Sequence, residues 1–77
     1  MIVKILTPDQ TLFFGPADAV YAPAENGDIG ILEGHAPYAA ALKEGVIEII
    51  SSGNKKEISI VEGVLEVREN GEVVVLI

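Results

Sequence analysis

The sequence predicts an all-β fold, a compact two-sheet β-sandwich of about eight to ten short strands that forms one domain over residues 1–77. Valine and isoleucine dominate the apolar residues, and both favour the pleated, half-buried surface of a sheet. Turn-forming residues recur about every eight to twelve positions, a spacing typical of a sandwich or barrel. Apolar and polar residues also alternate, as where Leu65 and Val67 are interleaved with Glu66 and Arg68.

Proline and glycine separate the predicted strands of the N-terminal half. These strands cover Ile2–Leu6, residues 11–14, residues 18–22 and a short segment that contains Ile29 and Ile31. Gly15-Pro16 and Pro23 are expected to end the second and third strands, because proline has no N–H to donate to a ladder. Asn26-Gly27, and Asn70-Gly71 farther along the chain, predict type I′ turns.

In the C-terminal half, only residues 38–44 are ambiguous. Propensity favours one or two helical turns there, whereas the all-β context and the bounding Pro37 and Gly45 favour a strand, which is what we expect. A hairpin loop is predicted at residues 51–54. Residues 73–77 are apolar on both faces, so we expect the last strand to be covered on both sides, by the second sheet or by a partner.

One stretch, residues 26–37, departs from strand periodicity and is the candidate contact surface. It contains three of the eight glycines and the only histidine. Gly30 lies between Ile29 and Ile31, and a glycine inside a strand usually marks a bulge or the close approach of another backbone. The segment Gly34-His35-Ala36-Pro37 is expected to leave the strand as an irregular loop.

The composition argues against several functional classes. The net charge of −7, from 12 acidic and 5 basic residues, disfavours binding to nucleic acid or directly to anionic lipid. An acidic surface serves solubility or meets a basic protein partner. With no cysteine and one histidine, neither a disulfide framework nor a structural zinc site is expected. No apolar run approaches the ~20 residues of a membrane span, and we expect no signal peptide.

No residue pattern indicates catalysis, a metal site or a cofactor. His35 could serve as an acid or base, but without a neighbouring nucleophile the favoured role is structural, with its ring nitrogens capping backbone groups of the turn. Glu25, Asp28 and Glu33 could form a hydrolytic pair or a calcium site, yet their spacing matches no calcium loop, and they fit better as a solvated edge or as an acidic rim that meets a basic partner. The glycines of this stretch lack the lysine and the following helix of a phosphate-binding loop.

A free-standing β-sandwich module that binds a ligand or a protein remains open as an alternative function. A carbohydrate-binding module, for example, usually presents a flat aromatic platform. The four aromatic residues are Phe13, Phe14, Tyr21 and Tyr38, and most of them are expected in the core.

The stretch 25–37 resembles the signature of the N-terminal β-sandwich domain of the ATP synthase epsilon subunit, which is called delta in mitochondria. The most specific part is Gly30-Ile31-Leu32 followed by Gly34-His35-Ala36-Pro37. The resemblance extends over essentially the whole chain. The other matching positions are Thr7-Pro8, Phe14-Gly15, Pro23, Ala41-Leu42, Gly45-Val46, Gly63, Leu65-Glu66-Val67, Asn70, Val73 and Val75.

The resemblance implies a non-catalytic rotor subunit at the foot of the central stalk of a proton-translocating ATP synthase. Such a subunit docks on the gamma subunit and on the polar loops of the c-ring, binds no cofactor and forms no homo-oligomer. It is a peripheral membrane protein through the complex, on the cytoplasmic (or stromal or matrix) side of the coupling membrane. The partner-binding residues implied are Gly27, Asp28, Ile29, Gly30, Ile31, Leu32, Glu33 and His35.

The sequence departs from the family pattern in three ways. Glu33 stands where the family often has proline or another non-acidic residue, and Glu62 stands where a second glycine is common. The family's C-terminal pair of helices has no counterpart in these 77 residues. We therefore expect neither the inhibitory extension nor the ATP site that some members carry in those helices.

Overall fold

The computed structural model describes all of residues 1–77 and contains nine β-strands and no helix. The strands are β1 (Ile2–Leu6), β2 (Thr11–Pro16), β3 (Ala19–Ala24), β4 (Gly27–Leu32), β5 (Tyr38–Leu42), β6 (Gly45–Ser51), β7 (Asn54–Ile60), β8 (Gly63–Val67) and β9 (Val73–Leu76). The predicted all-β class and strand number are confirmed. Since the chain has no helix, none is long and apolar enough to cross a membrane.

The strands form two layers that pack on one core. The first layer has the order β2-β1-β9-β8-β5, and the second contains β4, β3, β6 and β7 in that order. Neighbouring strands are antiparallel except for β1 and β9, which run parallel. The layers meet at one corner, where Ala24 of β3 pairs with Leu42 of β5.

Period-2 alternation sends one row of side chains from each strand into the space between the layers. Fifteen buried residues form a single cluster there, and it includes residues from both layers. The largest fully buried side chains are Ile5, Ile31, Ile47, Ile49 and Leu65. No polar or charged residue is buried, so removal of apolar surface from water is the main stabilising term.

Residues 38–42 form β5, which confirms the strand expected there over the competing helical propensity. Five consecutive residues of β5 pair with β8, from Tyr38 opposite Val67 to Leu42 opposite Gly63. Leu42 is buried, and Ala40 packs against the core cluster. Tertiary pairing and burial therefore decide the conformation of a segment too short to hold a helix by itself.

Two predicted strand ends are wrong, because proline is tolerated where the ladder needs no donor. β2 continues through Gly15 to Pro16, which pairs with Ile2 on an edge strand. β3 continues through Pro23 to Ala24, although Pro23 lies opposite Asp28 of β4. The pairing between β3 and β6 covers only residues 19–21, so the missing N–H of Pro23 costs that ladder no hydrogen bond.

Both predicted type I′ turns are wrong as well. The loop between β3 and β4 is Glu25-Asn26, one residue earlier than expected, and positive φ occurs only at the following Gly27, at 130°. In the loop before β9, Gly71 has a φ of 85° while Asn70 does not adopt positive φ.

The hairpin loop predicted at residues 51–54 is confirmed. Its central residues Ser52 and Gly53 both have positive φ, at 51° and 80°, as a type I′ turn requires. Ser52 N donates to Asp18 Oδ2 at 3.0 Å, which gives Ser52 a partner in a conformation that non-glycine residues rarely adopt.

The last strand is covered only in part. Val73 and Val75 are fully buried in the core, and Val74, on the outer face, is also buried between Lys4 of β1 and Glu66 of β8. Leu76 is 53% exposed, so no other strand of the chain covers the outer face at this residue, and of the two coverings that the prediction allows only a partner is left for it.

We expect Gly63→Ala to lower the free energy of unfolding by about 1–3 kcal/mol, because the new methyl group overpacks a backbone contact. A Cβ at Gly63 would lie 2.7 Å from the carbonyl oxygen of Leu76, and β9 cannot move away without disturbing its pairing with β8. Urea denaturation measures the change.

Gly15→Ala is the matched control, because a Cβ there would meet nothing closer than Phe13 Cζ at 3.9 Å. It should change the free energy of unfolding by less than about 0.5 kcal/mol. Equal losses for the two variants would contradict the proposed contact.

Candidate functional site

The predicted contact residues 27–32 form β4, an edge strand of the second layer. β4 pairs with β3 and has no neighbour on its other side. The register runs without a shift from Ala19 opposite Leu32 to Ala24 opposite Gly27. The bulge considered for Gly30 is therefore absent, and the strand presents one uninterrupted free edge.

The two faces of β4 have different roles. Ile31 is 1% exposed and Ile29 packs against the core, so both side chains anchor the strand. Asp28, Gly30 and Leu32 lie on the opposite, outer face and are exposed. Of the predicted partner-binding residues in the strand, Ile29 and Ile31 can therefore offer a partner mainly their backbone.

The free edge of β4 carries backbone groups without partners. In an antiparallel ladder, facing residues point their N–H and C=O groups either toward each other or away from each other. The Pro23 oxygen accepts from Lys43 N, on the side of β3 away from β4. Pro23 and the facing Asp28 therefore point their backbone polar groups away from each other. By alternation Gly30 and Leu32 also point outward, and of these groups only the Leu32 oxygen is used, by His35 N at 3.1 Å.

The absence of a side chain at Gly30 makes room for the ring of Tyr21. A Cβ at Gly30 would lie 2.9 Å from Tyr21 Cε1 and 3.1 Å from Cδ1. The predicted approach of another backbone at this glycine is wrong, since the group that approaches is an aromatic side chain. Tyr21 is 43% exposed, so the ring over Gly30 forms part of the surface beside the free edge.

Acidic side chains border this surface. A groove of about 510 Å³ on the outer face of the second layer is lined by residues that include Tyr21, Asp28, Val46 and Glu48. Glu48 has a cation nearby, with Lys55 Nζ 3.6 Å from its Oε2 atom, whereas no cation of the chain forms an ion pair with Asp28. Asp28 therefore carries an uncompensated charge at the edge.

Glu33 and His35 follow β4 and belong to its turn. The Met1 ammonium group donates to Glu33 Oε1 at 2.7 Å. His35 is exposed, its Nδ1 lies 2.7 Å from the Ala36 oxygen, and its ring centroid is 5.7 Å from that of Tyr38. Since a carbonyl oxygen only accepts, Nδ1 is the donor, and this contact is the structural capping expected for His35.

The arrangement offers little for catalysis. His35 makes no hydrogen bond to a carboxylate or hydroxyl group, which a general base needs for orientation. No group of three His, Asp or Glu side chains is placed to hold a metal ion. The chemistry that this region supports is contact: free peptide groups, one unpaired carboxylate and an exposed ring.

A second exposed surface lies on the outer face of the first layer, and the sequence reasoning anticipated only the part of it that belongs to residues 73–77. We call it the apolar stripe, and it crosses four neighbouring strands through Leu6, Leu76, Val64 and Ala41. Leu76 is 53% exposed and Val64 is 48% exposed. The sequence signal for it was the apolar outer face of residues 73–77, but its extension across the sheet needs the strand order.

The expectation that most aromatic residues lie in the core is wrong. Phe14 is 67% exposed, Tyr21 and Tyr38 are also exposed, and only Phe13 packs against the core cluster. The register places Phe14 on the outer face of the first layer and Tyr21 on that of the second, so these rings form no common platform.

The structure thus defines a small acidic β-sandwich with an open edge strand and an apolar outer face, a class of domain suited to docking on other proteins. The family model described as the β-sandwich domain of the ATP synthase delta/epsilon chain matches residues 1–77, and the chain belongs to this family.

Named relatives and solved structures agree with this assignment. The ATP synthase epsilon chain of Synechococcus sp. (strain JA-2-3B'a(2-13)) is 40% identical over 77 residues, which are 100% of this chain and 56% of that protein. The ATP synthase epsilon chain of Bradyrhizobium sp. (strain ORS 278) is 34% identical over 67 residues, covering 87% of this chain and 50% of that protein. The chain therefore spans about half the length of the curated relatives it matches.

Two cryo-EM structures share the fold. A chain of the Euglena gracilis mitochondrial ATP synthase, in a structure of OSCP, F1 and the c-ring, superposes with a TM-score of 0.91 at 24% identity, covering 99% of this chain and 49% of that one. A chain in the central stalk and c-ring of the Tetrahymena thermophila mitochondrial ATP synthase gives a TM-score of 0.85 at 14% identity, covering 97% of this chain and 60% of that one.

We expect Gly30→Ala to lower the free energy of unfolding by about 0.5–1.5 kcal/mol, because the added methyl group forces the Tyr21 ring from its position. A double-mutant cycle with Tyr21→Ala checks the cause. Without the ring, Gly30→Ala should be neutral or stabilising, since alanine restricts the unfolded chain more than glycine does. The same loss in both backgrounds would show that the ring is not responsible.

Proposed function

We propose that the chain acts as a non-catalytic rotor subunit in the central stalk of a proton-translocating ATP synthase, where it docks on gamma and on the c-ring and helps to couple proton flow to ATP synthesis. The observation that carries the proposal is the match of the family model over residues 1–77. In this role the chain itself binds no cofactor. It associates with the membrane through the complex, on the side of the membrane that carries the catalytic head.

The apolar stripe is the surface that we assign to gamma. A stable interface buries more than about 1,000 Å² in total, which a single loop cannot supply. Leu76 and Val64 are half-exposed leucine and valine side chains on adjacent strands, and their neighbours Leu6 and Ala41 continue the same face. Burial of such a face contributes roughly 25 cal/mol per Å² of apolar surface removed from water.

The free edge of β4 and the turn that follows are the surface that we assign to the polar loops of the c-ring. The exposed groups of the predicted set are Gly27, Asp28, Gly30, Leu32, Glu33 and His35. An exposed ion pair contributes only about 0.2–1 kcal/mol, so the charge of Asp28 would govern orientation and association rate more than affinity. Two separate surfaces on opposite layers allow the domain to bridge two partners.

The gamma assignment predicts that Val64→Glu weakens co-purification with gamma by about tenfold or more, because a carboxylate would be buried in an apolar interface. Val64 is half-exposed and outside the core cluster, so the isolated fold should persist, which circular dichroism checks. Ser59→Glu adds the same charge on the outer face of the second layer and should bind gamma normally. Undiminished binding of Val64→Glu would place gamma elsewhere.

The ring assignment predicts that Asp28→Lys weakens assembly with the c-ring by roughly two- to tenfold. The substitution would replace the attraction between Asp28 and a basic group of the ring loops by a repulsion of similar size. ATP-driven proton pumping in reconstituted vesicles measures the coupling that remains. Glu57→Lys makes the same change of charge on β7, at the far edge of the second layer, and serves as the control. Normal assembly and pumping with Asp28→Lys would remove Asp28 from the interface.

A further inference from the structure

The four strands that end the two layers differ in how they are protected against further pairing. The edge strand β7 carries Lys55 and Lys56. β2 carries Pro16 and also pairs irregularly with β1, because it has one extra residue, Leu12, between the partners of Ile5 and Leu6. Lysine, proline and irregular pairing are the usual means by which proteins block strand addition. The free side of β5 is already engaged at Ala41, whose oxygen accepts from Glu25 N at 3.0 Å.

β4 has none of these protections. It contains no lysine or proline, its pairing with β3 is regular, and its single charge is that of Asp28. The outward peptide groups are the N–H and C=O of Asp28 and Gly30 and the N–H of Leu32. An incoming strand would find these groups spaced as in an ordinary ladder.

The side chains beside this edge indicate what kind of strand fits. Residues of an added strand that face Asp28 and Gly30 would lie on the outer face of the second layer. The residue facing Gly30 would be next to the exposed ring of Tyr21, which covers that glycine. The residue facing Asp28 would meet a carboxylate that has no ion-pair partner within the chain.

Charge favours a segment of a different protein over a second copy of this chain as the strand that pairs with β4. Two copies would each bring a net charge of −7, and neither could supply a cation opposite Asp28 from β4. A segment with lysine or arginine at that position gains an attraction and loses no existing ion pair.

We propose that β4 accepts an extended segment of another subunit as an additional strand, with a lysine or arginine of that segment opposite Asp28 and a neighbouring side chain against Tyr21. This inference rests on the proposed function, since it specifies how the ring-facing edge makes its contact. Main-chain hydrogen bonds then position the partner. The ion pair between its cation and Asp28 and the contact with the aromatic ring of Tyr21 select it.

Hydrogen exchange in the assembly with gamma and the c-ring tests the proposal at single amides. After exchange, the chain is dissociated under quench conditions and read by NMR. In the free chain, Ile29 and Ile31 amides should exchange slowly because they pair with β3, whereas those of Asp28, Gly30 and Leu32 should exchange fast. In the assembly, these three amides should slow by about a hundredfold or more, as expected for newly formed ladder bonds.

Two variants of Asp28 separate the hydrogen bond from the charge. Asp28→Asn keeps the outward N–H and removes the charge, and should weaken assembly by about two- to fivefold. Asp28→Pro removes both, and should bind a further two- to tenfold or so more weakly than Asp28→Asn, the value of one hydrogen bond. Slow exchange of the Ile29 and Ile31 amides shows whether the proline variant keeps its fold.

The outcomes are distinct for the inference and for the function on which it rests. If the chain assembles but the amides of Asp28, Gly30 and Leu32 still exchange as in the free chain, strand addition is wrong and the rotor function stands. If the chain does not assemble with gamma or the ring, the proposed function fails. A concentration-dependent dimer with the same protection, seen by sedimentation, would identify a second copy as the occupant and overturn the proposal.

Discussion

Burial of one apolar core between two small layers is the interaction on which every other feature of this domain depends. The chain has no cysteine, none of its buried residues has a polar side chain, and its side-chain ion pairs lie at least partly in solvent. A domain of this size buries only a small apolar area on folding, so each strand must direct one full row of side chains inward. The alternation that satisfies the core also determines which residues are left outside, and these are the residues available for docking.

In β4, six residues both fill the core and leave groups exposed for contact with a partner. Ile29 and Ile31 point into the core and hold the strand against β3, while Asp28, Gly30 and Leu32 face outward with their peptide groups at a free edge. Because the anchors and the contact groups alternate, a shift of one residue in register would bury a carboxylate and expose two isoleucines. The same interactions that stabilise the fold therefore position the edge that we propose for docking.

The outer faces show what a single sequence leaves undetermined. Leu6, Val64 and Leu76 are far apart along the chain and become neighbours only because β9 lies between β1 and β8. Tyr21 and Gly30 meet because β3 and β4 form a hairpin whose loop begins one residue before the predicted turn. No local pattern in the sequence predicts either contact. The prediction that most aromatic residues lie in the core was wrong for the same reason, since the face on which a ring lies depends on strand order and on what covers it.

By itself the sequence determined the all-β class, most strand positions and the alternation at Leu65 and Val67, because these follow from local periodicity and from residue types at turns. It also singled out residues 26–37 as the candidate contact surface. The resemblance in those residues also pointed to the family that the whole-chain match supports. Only the tertiary structure decided that Pro16 and Pro23 lie inside strands and that Ile31 is an anchor, and it settled the competition between helix and strand at residues 38–42 in favour of the expected strand. Each of these depends on which hydrogen-bonding partner and which covering surface a residue meets, and those are supplied by strands distant in sequence.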